Sequence, residues 1–533
     1  MLALVFALQV TASATIRGHV FAADTSQPLR KAQVRLTQID APSGPNASRP
    51  RENRLVTTDV DGKYEFKDLP AGRYNLNASK GGYVSVSWGQ QQPNEPGKPL
   101  DVLDGQTIER VDLTLPRGSV ITGRIVDEFG EPLSNVSVAA VRSEVVNGER
   151  RMVPVGRTAA TDDLGEFRIY GVAPGQYYVR ATWRRFGPVT DPNNPDRTGY
   201  PVTYFPGTAD IANAQRFSIA VGQSVTDLAM AMSPQKTAVV SGTVVDADGR
   251  PIGAMMLNVI HTDGNSSTSF GTSIRGDGSF SFVLSPGNYM LRTMTNGTNR
   301  RDIGATTVTV GSEDIKDIRI VVAPPPTITG RVVVDPAQAP SLPGSLMLTA
   351  VPMTPTPMPG NSPARLADDF SFELSVPITG RVRLVMTNLP PSWTIGHVRV
   401  NSIDVIDDGI DVKPNDNITG VEVELTNKLT SVSGTVSTSG GDAAKNYTVV
   451  FFPQDTKRWT PGSRYLRSAR PDQDGRFKIS GLPPGDYNVV AVDRLEPGQN
   501  TDPEYLERIS SRASRFTLMD GETKTLDLKL NVP

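Results

Sequence analysis

The chain has 533 residues, 54 Lys+Arg against 56 Asp+Glu, three His and no Cys. The missing cysteine excludes disulfide frameworks, zinc–cysteine sites, iron–sulfur clusters and thiol nucleophiles. The near-neutral charge excludes the basic footprint of a nucleic-acid binder, and three histidines leave little material for a metalloenzyme or a Ser-His-Asp hydrolase. Length alone suggests three or four domains. The 48 Gly and 43 Pro exceed the usual share of roughly 12% without reaching the level of a disordered or collagenous chain.

In chain order, the first feature is MLALVFALQVTASA, residues 1–14. An apolar run, Leu2 to Leu8, precedes the small-x-small triplet Ala12-Ser13-Ala14, the form signal peptidase reads. The segment is short and lacks a positive n-region. It is read as the remnant of a signal peptide, giving a secreted, periplasmic or cell-surface protein; the other reading is an apolar first strand. No stretch approaches the ~18 apolar residues of a membrane span, so no integral membrane segment is expected in the mature chain.

Two phrases then recur. The first is apolar-x-Gly-x-apolar, centred on Gly18, Gly123, Gly242, Gly330 and Gly434. The second is LPAGRYNLNA from Leu69, VAPGQYYVRA from Val172, LSPGNYMLRT from Leu284 and LPPGDYNVVA from Leu482, with a degraded copy, VPITGRVRLVM, from Val376. The two glycines lie 54, 52, 45, 50 and 51 residues apart in the successive copies, and copies follow one another at 105, 119, 88 and 104 residues. That period is domain-sized, so each copy should own a core. The predicted domains are 15–117, 118–235, 236–324, a divergent fourth at 325–427, and 428–533. Short linkers such as Leu115-Pro116-Arg117-Gly118 and Ala323-Pro324-Pro325-Pro326 imply limited bending.

Within a copy, a Gly/Pro turn (Gly130-Glu131-Pro132, Gly249-Arg250-Pro251) follows the first strand. An alternating strand comes next, as in Ala32, Val34 and Leu36. An Asp-Gly turn follows, as in Asp59-Val60-Asp61-Gly62 and Asp472-Gln473-Asp474-Gly475. After it, aromatic or apolar residues two apart (Tyr64/Phe66, Phe280/Phe282) share one strand face. Helical periodicity is confined to a weak window near Tyr505–Arg512. The pattern predicts an all-β chain: a tandem array of antiparallel Ig-like or transthyretin-like sandwiches of about seven strands each. Tyr74, Tyr177, Tyr289 and Tyr487 are read as core-edge rings whose hydroxyls reach backbone groups.

The combination of apolar-x-Gly-x-Val, Gly-x-Pro-Leu, Asp-x-Asp-Gly-x-Phe-x-Phe and Leu-Pro-Pro-Gly-x-Tyr-x-Val-x-Ala resembles the carboxypeptidase regulatory-like domain, a transthyretin-like sandwich related to the carbohydrate-binding-like fold. The layout is similar to exported bacterial proteins that carry this domain in several copies. The resemblance implies fold and extracytoplasmic placement, with carbohydrate the favoured ligand class. It does not imply peptidase activity. In metallocarboxypeptidases the zinc ligands are a His-x-x-Glu pair and a distant His, on a separate catalytic domain. Here His19, His261 and His397 lie in different repeats, and none begins such a pair.

Other chemistry is thin. Gly-x-Ser-x-Gly, Walker-type and Gly-x-Gly-x-x-Gly motifs do not occur. Asp404, Asp407 and Asp408 are the nearest thing to a general acid/base cluster. Asp59/Asp61, Asp246/Asp248 and Asp472/Asp474 are weak calcium candidates, each offering two carboxylates where calcium takes six to eight oxygens; the competing role is capping the turn through its own backbone. No cofactor is expected. Ligand candidates are aromatic residues outside the repeated positions, with neighbouring cations: Trp88 in a Gln-rich loop; Trp183, Tyr200 and Tyr204 on the insertion of repeat two; and Trp459 with Arg458 and Arg464. The competing role is to cover sandwich ends. The expectation is a non-catalytic exported binding or scaffold protein, with glycan or envelope proteins as partners. The alternatives are a structural or adhesive spacer working through protein partners and, more distantly, an enzyme with a cryptic carboxylate site.

Overall fold

The computed structural model describes residues 13–39, 52–91, 95–146, 149–183, 198–253, 255–262, 269–295, 302–334, 345–353, 363–377, 379–390, 392–460 and 462–531. Residues 1–12 of the N-terminal apolar segment lie outside this set. Ala14, at the expected cleavage point, opens the first strand, Ala14–Ala22, and is fully buried.

Each repeat builds the same two-sheet pattern, and in repeat five the last strand, Thr523–Asn531, also pairs with Gly485–Val492 and joins the two halves into one sheet. In repeat two, Ser119–Val126 lies between Glu166–Val172 and Ser224–Ala231 in one sheet, and Val136–Val146 pairs with Glu149–Ala160 and Gly175–Trp183 in the other. Phe217–Ile219 completes the second sheet. Strict alternation drives the closure. In Gln33–Gln38 of repeat one, Val34 and Leu36 are fully buried, while Gln33 and Arg35 are exposed and Thr37 is half-buried, and burying each such apolar side chain contributes about 1.5–3 kcal/mol. Repeats one, two, three and five each own a contiguous apolar core.

The degraded fourth copy folds the same way. Thr327–Val333 pairs with Ser371–Ser375 and Asn417–Thr426, and Met347–Pro352 pairs with Gly380–Thr387. Val382, which replaces the recurrent tyrosine, is fully buried.

One departure from an all-antiparallel sandwich is common to all five repeats. The first strand of each repeat runs parallel to the last, as for Ser119–Val126 with Ser224–Ala231 and Ser431–Ser437 with Thr523–Asn531. The chain reaches that last strand from the opposite sheet, and such a crossover, unlike a hairpin, can deliver a parallel neighbour.

This pairing explains the glycine of the first phrase. A Cβ there would lie 2.2 Å from the carbonyl oxygen of Val111 (Gly18) or Leu228 (Gly123), 2.0 Å from Ile318 (Gly242), 1.9 Å from Val421 (Gly330) and 1.8 Å from Leu526 (Gly434). The last strand presses onto the first with no room for a side chain. In repeats two, three and four the register slips beside this glycine. Asp227, Asp317 and Gly420, each at positive φ, occupy the extra position of the resulting β-bulge.

By contact density the chain forms two compact units. One comprises Met1–Gly118, Pro390–Thr394 and Asn427–Pro533; the other comprises Ser119–Leu389 and Ile395–Thr426. Repeats one and five therefore share a unit. Repeat five adds the helix Pro503–Ser510, capped by Asp502, whose carboxylate accepts from the Glu504 N–H. Tyr505, Leu506 and Ile509 cover the outer face of the sheet over Val450, Phe452 and Val490. This is why Thr448–Pro453 is buried at every position and reads as an unbroken apolar run.

Candidate functional site

The residues that recur among the repeats serve the fold. The hydroxyls of Tyr74, Tyr289 and Tyr487 donate to the carbonyls of Pro70, Ser285 and Pro483 at 2.6, 2.9 and 2.7 Å, tying each strand to the turn before it. The first aspartates of the turns accept from their own backbone. Asp59 Oδ1 takes the N–H groups of Asp61 and Lys63 at 3.0 and 2.8 Å. Asp246 takes those of Asp248 and Arg250 at 3.0 and 2.8 Å, and Asp472 those of Asp474 and Arg476, both at 2.9 Å. Asp127 and Asp162 repeat the arrangement in repeat two. This is the hydrogen-bonding habit that makes Asp a turn residue. Among the described residues no group of three or more His, Asp or Glu is arranged to hold a metal ion.

Of the carboxylates in repeat four, Asp404 lies 2.6 Å from His397 Nδ1 and accepts from the Ile406 and Val398 N–H groups at 3.1 and 3.4 Å. Burial pushes its carboxyl up. The histidine contact and the two backbone donors outweigh this and hold it below the ordinary carboxylate range. The contacts orient one short hairpin, Thr394–Val400 with Ile403–Asp404.

The aromatic candidates fall into three places. In repeat two, the rings of Trp183 and Tyr200 meet edge to face, 5.4 Å apart at 89°. Both are half-buried against the repeat core, and Tyr200 donates to Glu128 Oε2 at 2.9 Å. Burial and that carboxylate push the Tyr200 phenol up, so it remains a hydrogen-bond donor. Arg184, Arg185 and Phe186, adjacent in sequence, lie outside the described residues. Tyr204 stands apart: it is 8% exposed, in a satellite cluster with Ala139, Val141 and Met152. Ala139 and Val141 alternate with the core residues Val138 and Ala140, so the cluster covers the sheet's other face.

In repeat five, Trp459 is half-buried beside the helix-covered cluster. It packs on Phe452 at 5.7 Å, and its indole N–H donates to the Pro453 carbonyl at 2.9 Å. The Arg458 and Arg464 guanidinium groups lie 4.4 and 5.3 Å from the ring centre of Tyr465, a buried core residue, in a cation–π pairing. Trp393 is 8% exposed.

In repeat one, Trp88 packs against the core, and the Lys98 N–H donates to the Trp88 carbonyl at 2.8 Å. Glu95 and Lys98 meet repeat five within the same compact unit. Glu95 and Arg470 form an ion pair whose side chains are 11% and 4% exposed. The contact residues Glu95, Lys98, Asn446, Arg470 and Gln473 were not among the sequence candidates. The available signal was positional. Counting back from the turn glycine, Arg470 and Gln473 stand where repeats one, two and three have Thr57/Val60, Ala160/Asp163 and Ser273/Gly276.

The structure thus defines a chain of transthyretin-like β-sandwiches whose repeated residues are structural and whose variable residues lie on loops and edges. The carboxypeptidase regulatory-like domain family matches residues 15–116, 120–225, 239–321 and 431–531, and the chain belongs to that family. Repeat four falls outside the matched segments. No curated protein matches the chain. Among solved structures, it is similar to a Bacillus anthracis TIE protein at 17% identity and a TM-score of 0.16, covering 59% of this chain and 51%, about half, of that one. A streptococcal ancillary pilin matches at 15% identity and a TM-score of 0.21, over 58% of this chain and 99% of the pilin. A catechol 1,2-dioxygenase from Acinetobacter matches at 13% identity and a TM-score of 0.16, over 21% and 54% of the two chains.

Proposed function

We propose that the protein is a non-catalytic, extracytoplasmic binding scaffold, and that its ligand is a carbohydrate held against the Trp183–Tyr200 edge of repeat two. The observation that carries the reading is the division of labour among its polar residues. The recurrent Asp, Tyr and Gly are engaged in turns, strand ties and close backbone contact. The Trp183–Tyr200 pair is half-buried, unique to one repeat, and set beside a carboxylate. An indole and a phenol at right angles offer a stacking face and a polar rim, which suit the apolar face and hydroxyls of a sugar. Arg458 and Arg464, half-buried beside the buried Tyr465 ring, give repeat five a second, more cationic edge for the same ligand class.

A glycan array probed with the full chain tests this. Binding that is lost in Trp183→Ala and retained in Trp459→Ala supports the assignment. An array without hits, or binding indifferent to Trp183, refutes it. The second reading, a structural or adhesive spacer working through envelope proteins, is favoured by Trp459, whose indole N–H is already bonded within its own repeat.

A further inference from the structure

We propose that repeats one and five are each other's specific binding partners, and that Gly89 and Glu95–Asp101 of repeat one form a clasp with the Arg470–Gln473 turn of repeat five. The contacts span 347 to 381 positions of sequence. Arg470 pairs with Glu95 and also donates to the carbonyls of Pro96 and Gly89 at 3.0 and 3.4 Å. One guanidinium thus fixes both the charge and the backbone of the loop, a geometry only arginine's planar fork supplies. Lys98, 8% exposed, donates to the Asn446 side-chain oxygen at 2.5 Å and to the Lys445 carbonyl. Gln473 and Asp101 bond reciprocally: the Asp101 N–H donates to Gln473 Oε1, and Gln473 Nε2 donates to the Asp101 carbonyl, both at 3.0 Å.

The last pair has a second consequence. Asp101 lies in Leu100–Val102, which pairs on one side with Gly72–Ser79. The Gln473 amide takes the place of a further strand on the other side, covering an edge that would otherwise be open to aggregation. Gln473 sits inside the Asp472–Gly475 turn, so the same turn that Asp472 shapes presents the amide that docks. Repeats one, two and three lack both the arginine and the glutamine at these positions, and repeat four has Arg365 at the first but Asp368 at the second. The arginine–glutamine pair is therefore particular to repeat five, and the surface is heterologous: it fits the repeat-one loop and not a second copy of itself.

Burial sets how the clasp responds to change. An exposed ion pair is weak and screened by salt, whereas a buried one broken on one side leaves an uncompensated charge. Reversing the charge at Arg470, which also removes its donors to the Pro96 and Gly89 carbonyls, should release the clasp.

The absence of native cysteine permits a direct test. Leu103→Cys and Asp474→Cys place thiols at exposed positions two residues and one residue from the Asp101–Gln473 contact. The full chain is treated with a short bismaleimide at about 1 µM, well below the millimolar effective concentration of linked partners. The clasp predicts rapid intramolecular cross-linking, slowed at least about tenfold by Arg470→Glu and less by Arg470→Lys, which keeps the charge and gives up the fork. Circular dichroism reports whether Arg470→Glu remains folded. If it does not, Gln473→Ala, at a half-buried position, removes both bonds to Asp101 and should slow the cross-link in its place. Cross-linking that is purely intermolecular, or equal in every folded chain, overturns the proposal.

Discussion

Gly242→Ala in repeat three probes the feature that defines the repeat. A Cβ at Gly242 would lie 2.0 Å from the Ile318 carbonyl oxygen and 2.8 Å from Phe280 Cζ, whereas ordinary contact begins near 3.4 Å. The parallel strand Ile315–Val321 would have to retreat by about 1.4 Å, which stretches its hydrogen bonds to Ala238–Val245 beyond a useful length. Overpacking of this kind typically costs 1–3 kcal/mol, and each ladder bond lost adds about 1 kcal/mol. A total near 3 kcal/mol corresponds to roughly a hundredfold increase in local opening. Gly276→Ala, in the same repeat, is the control: nothing lies within 4 Å of its Cβ, and losing glycine's freedom in the unfolded chain makes it neutral or stabilising by under about 1 kcal/mol. Hydrogen exchange of the full chain, read on peptides covering the two strands, should show protection falling in the first variant and holding in the second. Equal protection in both variants would refute the close-approach argument.

Other outcomes follow from single contacts. Tyr487→Phe removes the donor to the buried Pro483 carbonyl and should destabilise repeat five by about 1–2 kcal/mol, seen as faster exchange in Gly485–Val492 with other repeats unaffected. Because the Asp404 carboxyl is held below its unfolded value, its contribution is present above the unfolded pKa of about 3.9 and is lost as pH falls through the lower folded value. The amide resonances of Val398 and Ile406 should therefore show a transition below about pH 4, and in Asp404→Asn that acid transition should vanish. Glu95→Gln should destabilise repeat five as well as repeat one, detected as faster exchange around Arg470, because the buried guanidinium loses its counter-charge.

Much of the fold was legible because it is repeated. The spacing between Gly18 and Gly72, and its near-equals in four further copies, marked in each copy the first strand and the strand that the second glycine opens. The tyrosine hydroxyl and the aspartate turn are local interactions, within four residues, and local interactions leave local signals. What was not legible depends on distance. The parallel meeting of first and last strands, which alone explains the first glycine, joins residues such as Gly123 and Leu228 that no short motif connects. Tyr204 looked like a ligand ring, yet it lies within a cluster on the far face of its sheet. Trp88 drew attention to the right loop for a different reason: the loop meets repeat five through Glu95 and Lys98. Those residues, with Arg470 and Gln473, occur in single copies far apart in sequence, and single copies have no repetition to reveal them.

The claim that this scaffold binds carbohydrate without altering it is tested most directly by passing a mixed oligosaccharide pool over the immobilised full chain and reading the retained fraction by mass spectrometry. Retention of a subset that elutes at unchanged mass, and is lost with Trp183→Ala, is the predicted result. Cleaved or modified products, or no retention at all, would contradict it.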